Sequence, residues 1–146
     1  MSNLSNNFIA GDWVKGSSSI SNINPSDTND VIGEYAQANN AQLEDALNSA
    51  QIAQKQWAAT GLEQRQAVLM KIGEEMMTRS AELGELLSRE EGKPAAEGKG
   101  EIYRAGQFFT YYAAEVLRQS GDTADSVRPN IEIDVRREAM GTVAII

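Results

Sequence analysis

The sequence predicts an α/β fold, and three observations carry that reading. Four segments between residues 39 and 119 repeat apolar residues at helical spacing, short strand and turn text fills residues 8–37, and the closing run GTVAII is apolar and β-branched. The strand text begins with the apolar segment FIAGDWV. A Gly-Ser-rich turn at Gly16 to Ser19 follows, then SISNI, the turn signal Asn24-Pro25, and VIGEYAQA.

Asn39 or Asn40 is suited to cap the first helix, whose Leu43, Ala46, Leu47, Ala50, Ala53, Gln54 and Trp57 recur on one face, with Gln54 the polar interruption. Thr60 followed by Glu63 reads as a capping box opening a second helix, with Ala67, Val68, Ile72, Met76 and Met77 roughly on one side. A third helix starts at Ser80 and carries Leu83, Leu86 and Leu87. Gly92 and Pro94 supply a stop and a restart, since glycine tolerates a left-handed C-terminal position and proline suits a first turn. The fourth helix is expected from about Pro94 to Gln119, with Ile102, Ala105, Phe109, Tyr112, Ala113, Val116 and Leu117 on its apolar face and Ser120-Gly121 ending it.

Beyond it, Gly-Asp-Thr text predicts a loop. Residues 131–137, IEIDVRR, alternate apolar and polar side chains like a strand with one wet face or one at a sheet edge. GTVAII predicts a strand buried on both faces in a parallel sheet. No comparable run occurs upstream, so its partner strands are expected elsewhere, which implies a truncated chain.

Composition narrows the function. The 146 residues are 41% hydrophobic, enough for one core. A formal charge of −8 with 13 scattered basic residues argues against a nucleic-acid surface. There is no cysteine and no histidine, which removes disulfides, thiolate nucleophiles, imidazole bases and the usual zinc ligand sets. The opening MSNLSNNFIAGDW has neither a basic n-region nor a long apolar h-region, and no apolar stretch reaches membrane-span length, so a soluble cytoplasmic protein with no membrane partner is expected.

Two tempting motifs fail. EEGKP sets Gly92 and Lys93 beside a helix start, but no GxxxxGK pattern followed by Ser or Thr exists, and a helix-to-helix turn is the better reading. Gly98 and Gly100 lack the third glycine of a dinucleotide fingerprint, because Tyr103 stands there, and no strand precedes them. Trp13, Trp57 and the aromatics from Phe108 to Tyr112 follow strand or helix periodicity and read as packing.

Five pieces, in this order, resemble the amino-terminal portion of the aldehyde dehydrogenase superfamily. They are FIAGDW with Asn24-Pro25, the helix ending at Trp57, ELGELLSREEGKP, GQFFTYYAAE, and REAMGTVAII. The likeness covers the chain from Phe8. It departs at Arg137-Glu138-Ala139, where the family has Arg-Glu-Pro. AGQFFTYYAAEVLRQSGD is similar to the group oxidising α-ketoglutarate semialdehyde.

This resemblance implies an aldehyde dehydrogenase fold, amino-terminal part only. Residues 1–121 would be the first part of the NAD(P)-binding domain, 122–138 a loop and oligomerisation strand, and 139–146 the first strand of the Rossmann-like sheet. It implies NAD or NADP as cofactor, an aldehyde substrate, and a homodimer or homotetramer for the full-length protein. The family's catalytic cysteine, glutamate base and oxyanion-hole asparagine lie further on, so residues 1–146 alone are expected to be inactive.

The resemblance also assigns candidate residues. Ile146 would offer its backbone to the cofactor's adenosine ribose. Arg104, Gln107 and Phe108 would line the substrate tunnel, with Arg104 matching the far carboxylate of a semialdehyde acid; its rival role is a helical pair with Glu101. Glu90, with the backbone carbonyls of Asn22 and Ile23, would hold a monovalent cation; its rival role is an exposed last-turn glutamate. A noncatalytic helical interaction module ending at Ile146 is the alternative from another class.

Overall fold

The N-terminal strands form because their turns fit. The computed structural model describes residues 4–145, and the first five elements are β1 (Leu4–Ser5), β2 (Asn7–Ile9), β3 (Asp12–Val14), β4 (Ser18–Ile23) and β5 (Val31–Gln37). β2 and β3 are an antiparallel hairpin whose two-residue loop, Ala10-Gly11, has φ of 55° and 94°. Two positive φ values mark the turn family whose twist matches paired strands. β5 sits centrally in a three-stranded sheet, parallel to β1 and antiparallel to β4. The β4–β5 register shifts between Asn22 and Ile23, a bulge that bends the end of β4 beside the helices.

Helix α1 (Asn40–Ala58) starts at Asn39 through a reciprocal capping box. Asn39 Oδ1 accepts from the Gln42 N–H at 2.9 Å, and the Asn39 N–H donates to Gln42 Oε1 at 3.1 Å. Gln42 Nε2 also donates to the Lys15 carbonyl at 2.7 Å, tying the cap to the end of the hairpin.

Helix α2 (Leu62–Thr78) corrects the expected capping box at Thr60. Its N-cap is Gly61, with no side-chain cap bond, because the Thr60 hydroxyl turns back to donate to the Trp57 carbonyl at 2.7 Å and closes α1 instead. Helix α3 (Ser80–Glu91) ends at Gly92, left-handed at φ 72°, and Pro94 precedes α4 (Ala95–Val116), both as the sequence predicts. Helix α4 stops short of Gln119.

The three later helices pack through glycines. A β-carbon added to Gly73 of α2 would lie 2.7 Å from the Gly106 carbonyl oxygen, and one on Gly106 would lie 2.6 Å from Met77 Cγ. Gly84 of α3 meets the Lys99 backbone of α4 equally closely, and Gly98 meets Gly84 and Ser88. Helices at such separation bury main chain rather than large side chains. Ala113 is the buried apolar residue, and no large side chain is fully buried among the described residues. The expected apolar face of α1 is correspondingly open, with Leu43, Leu47 and Trp57 exposed and no α1 residue buried.

The C-terminal part departs from expectation in two places. Residues 122–125 form β6 (Asp122–Asp125) instead of a loop, paired antiparallel with β7 (Glu132–Val135) in an exposed two-stranded ribbon. The polar text DTAD has little strand propensity of its own, so the pairing decides its conformation. Residues 139–145 form no strand, and Ile145 is 93% exposed. A strand needs a neighbour for its backbone N–H and carbonyl groups, and no described residue pairs with this segment. Ile146 lies outside the described residues.

Candidate functional site

Helical spacing sets the first candidate site on α4. Positions i, i+3 and i+4 share a face, which places Arg104, Gln107 and Phe108 together on the side turned away from the α2 and α3 contacts. Arg104 Nη1 donates to Gln107 Oε1 at 3.1 Å, and the guanidinium carbon stands 6.0 Å from the centroid of the Phe108 ring, which is 56% exposed. Tyr111 extends this face one turn further and meets Tyr112 edge-on at 5.2 Å.

The rival pairing of Arg104 with Glu101 does not form. Glu101 instead accepts from Lys93 Nζ at 2.7 and 2.8 Å, while Lys93 also pairs with Glu91. Lys93 therefore clamps the α3–α4 turn to α4, and the two carboxylates raise its pKa, with the Glu101 hydrogen bond the largest cause. Arg104 is left without an ion pair among the described residues, its charge aimed at an open apolar face.

The second candidate site joins the end of β4 to the end of α3. Asn22 Nδ2 donates to Glu90 Oε1 at 2.8 Å across 68 residues of sequence, and Ile23 follows at the bulge. Glu90 is exposed in the last turn of α3. Among the described residues no group of three or more acidic, histidine or cysteine side chains converges, so Glu90 would need neutral oxygens, such as main-chain carbonyls, to complete a cation shell there.

Beside it lies a brace that sequence spacing did not suggest. Arg89 grips Asp30 with both arms of its guanidinium, Nε to Oδ2 at 2.8 Å and Nη2 to Oδ1 at 2.6 Å, and Asn24 Nδ2 donates to Oδ2 at 3.2 Å. The Arg89 hydrogen bond is the main reason the Asp30 carboxyl drops to about 2, with Asn24 second. Ser26 Oγ adds a bond to the Gly92 carbonyl at 3.0 Å. The β4–β5 turn is thus fastened to the α3 terminus, which holds Asn22 and Glu90 in register.

No phosphate-cradling loop occurs among the described residues. The left-handed Gly92 is closed off by Ser26 and Pro25, and Gly98 is packed on Gly84. The one position expected to touch a nicotinamide cofactor, Ile146, lies outside the described residues.

The comparisons with known proteins agree with this architecture. The family model described as "Aldehyde dehydrogenase family" matches residues 13–146. The chain belongs to the aldehyde dehydrogenase family. Among curated relatives, the α-ketoglutarate semialdehyde dehydrogenase of Haloferax volcanii is 29% identical over the whole chain, and the α-ketoglutaric semialdehyde dehydrogenase of Bacillus subtilis is 32% identical over 96% of it. A vanillin dehydrogenase of Corynebacterium glutamicum is 35% identical over 95%. The chain spans 31%, 29% and 29% of these relatives' lengths, always as a part of them. A crystal structure of an NAD-dependent benzaldehyde dehydrogenase from Corynebacterium glutamicum superposes with a TM-score of 0.78 at 34% identity, covering 88% of this chain and 28% of that one. The aldehyde dehydrogenase fold predicted from the sequence is therefore shown, represented by its helices and short strands. Among the described residues, no helix of this family member is long and apolar enough to cross a membrane.

Proposed function

We propose that residues 1–146 are the amino-terminal part of a cytoplasmic NAD(P)-dependent aldehyde dehydrogenase whose substrate is an aldehyde carrying a distant carboxylate, as in α-ketoglutarate semialdehyde. The observation that carries this reading is Arg104, a cation with no carboxylate partner among the described residues, set between Gln107 and Phe108 on an open face of α4. A guanidinium left in that state suits a carboxylate fork, and the Phe108 ring beside it offers an apolar surface against which the guanidinium rests. The names of two relatives reported above, both semialdehyde dehydrogenases for a keto acid, support the same class.

In this reading Arg104 orients the substrate, Gln107 holds the guanidinium through its amide oxygen, and Phe108 forms the wall of the substrate tunnel. Bound NAD or NADP would accept the hydride elsewhere in the longer enzyme. The thiolate that such chemistry requires is also supplied elsewhere, because no cysteine exists among these 146 residues. The isolated 146-residue chain should form no NADH or NADPH from any aldehyde. Glu90, with the main-chain carbonyls of Asn22 and Ile23, holds a monovalent cation; a rise in melting temperature with sodium or potassium over choline, lost in Glu90→Gln, is its test.

The exposed β6–β7 ribbon serves assembly by pairing its free edge with a sheet of a second subunit, giving a homodimer or homotetramer. The substrate reading is tested by following NADH and NADPH absorbance with the full-length enzyme on α-ketoglutarate semialdehyde, succinate semialdehyde, vanillin and an uncharged aliphatic aldehyde. Preference for the two acids supports it. Equal rates on all four, or preference for vanillin, overturn it.

A further inference from the structure

A groove of about 640 Å³ is lined by Ala58 at the end of α1, Arg65 of α2, Gln119 beyond α4, and Arg137, Glu138 and Ala139 of the segment after β7. Arg65 Nε is shielded from solvent and donates to no acceptor among the described residues. Shielding a charged donor without an acceptor is costly, so such a group signals a missing partner. The acidic side chain in the same groove is Glu138, which makes no ion pair with any described residue.

We propose that Arg65 is a positioning residue that captures the Glu138 carboxylate and pins residues 137–139 against the helix layer. Arg137 is the other cation in the groove, but it is Glu138's neighbour in sequence, and a bond between them would leave the segment untethered. A partner on α2 fixes the segment to the helices. The consequence is directional: GTVAII leaves the helix layer at a fixed point, so Arg65 sets where that run begins. The pairing stands on the groove's own chemistry and is independent of the aldehyde reading.

The test is hydrogen–deuterium exchange of the full-length protein, comparing amides of residues 138–141 with those of α3 as an internal reference. Arg65→Gln and Glu138→Gln should each speed exchange in 138–141 by about tenfold, the factor expected for losing a charge-assisted hydrogen bond, with α3 unchanged. The double reversal Arg65→Glu with Glu138→Arg should restore much of the protection. Glu138→Gln keeps the test valid if Arg65→Gln fails to fold, because Glu138 lies on an exposed segment. Unchanged exchange at 138–141 in Glu138→Gln, or a double reversal no better protected than the singles, overturns the proposal.

Discussion

Replacing Gly73 by alanine puts the helix-packing account at risk. On an exposed helix the change would stabilise by about 1 kcal/mol, because alanine has the higher helix propensity. At Gly73 the new β-carbon sits 2.7 Å from the Gly106 carbonyl oxygen and 3.0 Å from the Thr110 backbone nitrogen, inside the 3.4 Å at which ordinary contact begins. Both neighbours are main chain of α4, which cannot swing aside like a side-chain tip. Overpacking costs about 1–3 kcal/mol, and rigid neighbours favour the upper end, so a net loss of about 2 kcal/mol is expected. Gly100→Ala, in α4 with nothing within 4 Å of the added carbon, is the control and should stabilise by about 1 kcal/mol. Urea unfolding followed by circular dichroism measures both. If Gly73→Ala equals or exceeds the parent in stability, the close approach of α2 and α4 is refuted.

The remaining predictions concern the brace, the hairpin and the ribbon. Asp30 has its pKa lowered from 3.8 to about 2, so its pairing with Arg89 contributes stability above the ordinary value that is lost as the pH falls towards 2. Asp30→Asn should therefore weaken the protein at neutral pH and flatten the fall in stability between about pH 4 and 2, read by denaturant unfolding across that range; an unchanged acid limb contradicts the assignment. Ala10→Gly should raise stability by about 1 kcal/mol by relieving a left-handed alanine, whereas Ala10→Val should lower it, both read from melting temperature. Removing the β6–β7 ribbon from the full-length protein should abolish the oligomer on size exclusion, and a parental elution volume would count against its role.

Local chemistry was legible in the sequence, and contacts over long sequence distances were not. Asn39 and Gly92 announced their helix ends because capping depends on side-chain type and backbone freedom within a few residues. Thr60 misled for the same reason: its hydroxyl can serve the helix behind as well as the one ahead, and the Trp57 carbonyl takes it. The α4 trio was named by the family resemblance, and i, i+3 and i+4 spacing explains only why its three side chains share a face. The Asp30–Arg89 brace spans 59 residues, and no periodicity links its ends. The glycines that let the helices approach carried no sign of their partners, since a glycine in helical text looks like a weakness until its neighbour is placed. GTVAII showed the limit of propensity, because β-branched residues favour a strand only where another strand receives them.

The most direct measurement is steady-state kinetics of full-length Arg104→Gln on α-ketoglutarate semialdehyde and on an uncharged aldehyde of similar length. The account predicts that kcat/KM for the acid falls about tenfold or more, the scale of losing a hydrogen bond to a charged group, while the uncharged substrate is unaffected. Equal changes on the two substrates, or none on either, would contradict it.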